Sequence, residues 1–224
     1  YKVFNQDFTC KDFKFEEAIL SGKEVYLIYG NKGDGKTSAA FLFPGTIACL
    51  CFDRKSGIIK HNFFKDKNIK VYDCIKYWEE KPDKYIQSSK KTYEYTEFLL
   101  DNIKKDVKPD WIIIDGLEIL QKICEMIMRN NHGLGPFQGV ANQNIWKERA
   151  LLLRNIHSKS YDIVNKGIIY TTYTSKDELI EEGNIVFKQD IPKWTDIIIW
   201  ESDVVMRAYG EYDKKSGKQK KFFI

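Results

Sequence analysis

The strongest chemical signal in this chain is the run Gly30-Asn31-Lys32-Gly33-Asp34-Gly35-Lys36-Thr37, which satisfies the spacing GxxxxGK[ST] in full. Each residue type there has a physical job. Glycines let a backbone wrap closely around an anion with its N–H groups turned inward. A helix that starts where the loop ends adds a favourable partial positive charge. With this spacing Lys36 reaches the β- and γ-phosphates of a nucleoside triphosphate, and Thr37 ligates magnesium. Gly30 to Gly35 and Ser38 complete the wrap. The plain alternative is a glycine-rich turn with no ligand. The context speaks against it, because an apolar run precedes the loop and a helical pattern follows.

A magnesium ion held by one hydroxyl needs a carboxylate nearby. Asp115 directly follows the four-residue apolar run Trp111–Ile114. A strand buried on both faces would deliver that carboxylate at its C-terminal edge, beside the phosphate loop. Asp115 is therefore the second expected metal residue, holding magnesium directly or through water. An aspartate after a strand can also simply cap a helix.

These residues need a scaffold, and the pattern predicts one. Strand signals at Val25–Tyr29, Thr46–Phe52, Ile69–Tyr72, Trp111–Ile114 and from Gly167 alternate with helical signals at Thr37–Phe43, Lys91–Lys105 and Asn144–Val164. Pro44 stops the first helix. In the second, Tyr95, Phe98, Leu99 and Ile103 share a side, and Trp146, Leu151 and Leu152 suggest a packing face on the third. Such alternation favours an α/β fold, a mainly parallel sheet flanked by helices. Three apolar runs, Ile197–Trp200, Val204–Tyr209 and Lys220–Ile224, predict C-terminal antiparallel strands over 197–224, with a hairpin turn at Gly217. Residues 1–22 read as an N-terminal extension of a single domain.

Bulk properties set outer bounds. The 224 residues carry 36 basic and 32 acidic side chains, a net charge of +4 that is too small to argue for nucleic acid by itself. Five lysines and no acid fall between Lys214 and Lys221. The five cysteines include no CxxC pair, and they read as small buried hydrophobes. No segment reaches the roughly 18 apolar residues of a membrane span. A reducing, cytoplasmic setting is the expectation, the host's cytoplasm if the protein is viral.

With GNKGDGKTS at Gly30–Ser38, WIIID ending at Asp115, TTYT at Thr171–Thr174 and VVMRA around Arg207, the chain resembles the RecA-like P-loop ATPase core. The likeness is to the compact type found in phages and in archaeal viruses or mobile elements. Its order covers roughly Lys23 to Ile224, and only the first motif is specific. The resemblance implies ATP and Mg2+ as ligands and hydrolysis of ATP. It also implies a homo-oligomer, ring or filament, that shares nucleotide across subunit interfaces. It places a water-activating carboxylate just after the strand that follows the phosphate-loop helix. The family usually has a glutamate near Lys55, and this chain has Asp53 there instead. Asp53 is the first candidate for activating water and Glu118 the reserve. Asp53 reads equally as a strand-end cap. A polar sensor of the γ-phosphate is expected among Thr171, Thr172 and Thr174, Thr172 foremost. A basic residue from a neighbouring subunit is expected at Arg207, or at Lys176. Either base reads equally as a solvated surface charge.

The same resemblance implies single-stranded DNA as a partner. The run Arg129–Gln143, long for a connector, offers Arg129, His132 and Phe137 to phosphates and bases. Ser175–Lys193 is a second candidate loop, but its acids Asp177, Glu178, Glu181 and Glu182 repel a nucleic-acid backbone, which Lys188 and Lys193 offset only in part. Competing readings stand beside this one. The chain could be a DNA-independent P-loop ATPase serving as a packaging motor or protein-partner switch. It could be a subunit that binds nucleotide and barely hydrolyses it. A small-molecule kinase would need an arginine-rich lid, and Arg129, Arg149 and Arg154 are too dispersed to form one.

Overall fold

A computed structural model describes residues 22–106, 108–181, 184–193, 196–213 and 218–224. The expected N-terminal extension, apart from Gly22, and the turn at Gly217 lie outside the described residues, as do the side chains of Glu178, Glu181, Glu182 and Lys188. Eight strands form a mainly parallel sheet: β1 (Glu24–Gly30), β2 (Ile47–Cys51), β3 (Ile69–Asp73), β4 (Trp111–Asp115), β5 (Gly167–Glu181), β6 (Asn184–Pro192), β7 (Val204–Asp213) and β8 (Lys218–Phe223). The helices are α1 (Lys36–Leu42), α2 (Ser56–Phe63), α3 (Tyr85–Asp106), α4 (Leu117–Asn131), α5 (Trp146–Ile163) and α6 (Asp196–Glu201).

The strand order is β3-β2-β4-β5-β1-β7-β8, with β6 off this path and paired to β5. The chain therefore leaves β1 and crosses two strand positions before it lays down β2. This opens a crevice at the C-terminal ends of β1, β5 and β4, where open parallel sheets bind ligands. The strand period of two divides the core between two faces. Leu27, Leu50, Ile112, Ile114, Ile168 and Tyr170 pack among α3, α4 and α5. Ile28, Cys49, Ile113 and Ile169 pack against Ala39, Ala40 and Phe41 of α1. All of β4 is buried, as a strand covered on both faces must be. Each fully buried Ile contributes about 1.5–3 kcal/mol by leaving water.

The C-terminal end differs from expectation in two ways. Ile197–Trp200 is not a strand but part of helix α6, in which Ile198 is fully buried and Trp200 is 86% exposed. A four-residue apolar run carries no period that separates strand from helix. The next run does form β7, but it joins β1 in parallel, with Tyr29 opposite Arg207. Among the described residues, only β8, antiparallel to β7, and the β5–β6 hairpin are antiparallel. Ser175–Lys193 is thus largely that hairpin rather than a free loop. Within the helices, Phe98 (59% exposed) and Leu151 (63%) face solvent, and Tyr93, Leu100, Leu153 and Ile156 take the inner positions. Helices α2 and α4 have no counterpart in the sequence reading.

Candidate functional site

The eight-residue motif closes as a loop between β1 and α1. Gly33 and Gly35 both adopt φ of +92°, a left-handed conformation that a side chain resists. Gly30 is required for a different reason: a Cβ there would collide with the backbone of Ala208 on β7. The Asp34 carboxylate turns back into the loop and accepts from the Asn31 N–H at 2.7 Å, which fixes the apex. Helix α1 spans only seven residues, so the loop amides, more than the helix dipole, must carry any anion.

Lys36 folds back over its own loop. Its ammonium donates to the carbonyls of Gly30 (3.0 Å) and Asn31 (2.9 Å) and lies 4.4 Å from the Tyr173 ring centroid. Burial lowers its pKa, and the charges of Glu118, Asp115, Asp34 and Asp53 oppose that shift. The Thr37 hydroxyl is 3.0 Å from both carboxylate oxygens of Asp115. The two expected metal residues, 78 positions apart in sequence, are therefore in contact.

Asp115 sits in a ring of hydroxyls. Besides Thr37, Ser56 donates to it at 2.6 Å, and Thr171 at the end of the β5 segment beside β4 also donates to it. Ser56 was invisible in the sequence, because its meaning comes from a partner 59 residues away; it also contacts the Cys51 sulfur at 2.9 Å. Burial raises the pKa of Asp115, the charge of Asp53 raises it further, and the hydroxyls pull it down. A buried carboxylate flanked by hydroxyls is a hard-oxygen donor set. It suits a small divalent cation that takes its remaining ligands from phosphate and water. Thr37 and Asp115 are the residues that would hold it.

The remaining candidates divide. Glu118, on the first turn of α4, is buried, its pKa raised by burial, and it accepts from the Thr172 hydroxyl at 3.3 Å. Asp53 accepts from the Lys55 N–H at 2.9 Å, which is the strand-end cap that one of its two readings anticipated. Asp53, Asp115, Glu118, Lys36, Thr171 and Thr172 all line one cavity of about 340 Å³, within the ~300–1,000 Å³ range of ligand pockets. Lys32, Gly33, Gly35, Thr37 and Ser38 line it too. Thr174 is not in this group, and among the described residues its buried hydroxyl has no hydrogen-bond partner.

Two expectations find their residues otherwise engaged. Arg207 and Lys176 both pair with Asp190 of the same chain and hold its carboxyl below the usual range. Neither is a free cation on the surface. Arg129 does not reach outward: it pairs with Glu125 at 2.8 Å and donates to the Gln138 carbonyl at 2.6 Å, so it fastens the loop that follows α4. His132 pairs with Glu148 at 2.7 Å. Phe137, 73% exposed, is the one of the three named DNA residues that faces solvent without a polar partner. Among the described residues no helix is long and apolar enough to cross a membrane.

Compared with protein-family models and with curated proteins, the chain matches none.

Proposed function

We propose that this protein binds ATP with magnesium and hydrolyses it, as a P-loop ATPase of RecA-like type. The observation that carries this reading is the meeting of Thr37 and Asp115 at 3.0 Å beneath a loop whose spacing and left-handed glycines suit a triphosphate. When the nucleotide enters, Lys36 exchanges two carbonyl acceptors for phosphate oxygens, a stronger charge-assisted pairing. Thr37 and Asp115 would hold magnesium, which would neutralise part of the phosphate charge. Thr172 and Glu118, joined by a hydrogen bond on the cavity wall, lie where a terminal phosphate and its attacking water would come. Glu118 is the better general base. Its raised pKa brings it closer to working pH, whereas Asp53 is committed to the turn.

Single-stranded DNA remains one outlet for the energy, with Phe137 as the stacking residue. The engagement of Arg129 with Glu125 favours the second outlet, a DNA-independent motor or partner-driven switch. Phosphate release from ATP, with and without single-stranded DNA and with Lys36→Ala as the blank, separates them. Turnover that needs Lys36 and ignores DNA supports the motor or switch, and stimulation by DNA supports the recombinase-like reading. No Lys36-dependent turnover under either condition sinks hydrolysis itself.

A further inference from the structure

We propose that Lys221 is a second phosphate-contacting lysine of this site, supplied by the same chain from the C-terminal hairpin; the inference rests on the phosphate-loop reading above. Its position follows from strand register. Arg207 on β7 stands opposite Tyr29, so Gly210, three residues on, lies past the C-terminal end of β1, level with the loop. Gly210 pairs with Lys221 on β8. The hairpin thus delivers a lysine to the end of the sheet where the phosphates go, and Lys221 lines the same cavity as Lys36 and Asp115.

The contact is close. A Cβ built on Gly35 would sit 3.0 Å from Cδ and 3.5 Å from Nζ of Lys221. The Lys221 stem therefore crosses the turn that the phosphates must touch, and Gly35 leaves the room for it. Among the described residues no carboxylate pairs with Lys221, whereas Arg207 and Lys176 are both taken by Asp190. The charge balance points the same way. Lys32, Lys36, Lys55 and Lys221 face three carboxylates around the cavity, so Lys221 turns an even balance into a net positive one. A magnesium–triphosphate complex still carries negative charge, and a flexible four-carbon stem lets an ammonium follow it.

The test is calorimetric titration of the full chain with MgATP, comparing wild type, Lys221→Met, Lys221→Arg and Lys36→Ala, with a melting curve for each. Methionine keeps the stem's bulk and removes the charge. A charge-assisted contact is expected to make Lys221→Met bind about ten- to a hundredfold more weakly, at unchanged melting temperature, while Lys221→Arg restores most of the affinity. Wild-type affinity in Lys221→Met, or tighter binding, overturns the inference and leaves the phosphate-loop reading intact if Lys36→Ala still loses binding. Weaker binding that tracks a lower melting temperature and is not rescued by arginine also overturns it. If wild type binds no MgATP at all, the phosphate-loop reading falls and takes the inference with it.

Discussion

Asp115 has three hydroxyls around it and no described cation in hydrogen-bond contact, so its charge is solvated by the protein but not neutralised. The pH dependence follows from the direction of its shift. Its folded pKa lies above the ordinary 3.8, so the folded chain holds that proton more tightly than the unfolded chain does. This contribution to stability is present at low pH and is lost as pH rises from about 3.8 through the folded value. Asp115→Asn is expected to remove that loss, giving a flatter curve of denaturant midpoint against pH in metal-free buffer. The same variant is expected to lose stabilisation by MgATP, which for wild type reaches about 2.7 kcal/mol at a ligand concentration a hundred times Kd. Ser56→Ala removes a donor from the buried carboxylate and is expected to cost about 1–3 kcal/mol, read by urea unfolding near neutral pH. For the chemistry, Glu118→Gln is expected to lower kcat about 10²–10⁴-fold with little change in MgATP affinity. Asp53→Asn should cost far less. The reverse order in steady-state kinetics would return Asp53 to the catalytic role.

At the scale of elements, Arg129 tests what the long loop is for. The Arg129–Glu125 pair is nearly buried, with side-chain exposures of 11% and 12%, and Arg129 also binds two loop carbonyls. Arg129→Ala is expected to destabilise the fold by up to about 3–5 kcal/mol and to speed hydrogen exchange in residues 132–142. An arginine that served only DNA would leave both unchanged. What the sequence disclosed follows the same division between local and distant causes. The loop between β1 and α1 and the buried strand β4 were legible because each is a short stretch whose types alone dictate its backbone state. Helix α4 was not, because it starts after Gly116 at φ +98° without any capping side chain, and its buried face includes Glu118, Gln121 and Arg129. Ser56 and the partners of Arg207 were out of reach because they depend on contacts between distant segments.

At the scale of the whole molecule, the site is assembled from strands that are far apart in sequence and adjacent only after folding. Residues from the loop after β1, the end of β4, the middle of β5 and the hairpin strand β8 reach one cavity. With Lys221 in the role proposed above, the second cation of the site comes from the same chain, and Arg207 is paired internally with Asp190. Turnover per chain is therefore expected to stay constant on dilution. A fall in specific activity that parallels dissociation in light scattering would show that the site needs a neighbour.

Strand β5 belongs to two structures at once. Its first residues lie between β1 and β4 and present Thr171 and Thr172 to the cavity, and the strand then runs on without interruption as one leg of the hairpin with β6. At ~3.3 Å per residue, Glu181 stands roughly 30 Å beyond Thr172 along a single extended rod. A rod has gain: a tilt of about 10° at its root sweeps its tip through about 5 Å. The cavity wall formed by Thr171 and Thr172 and the arm that extends past the ends of β1 and β4 are the two ends of one lever.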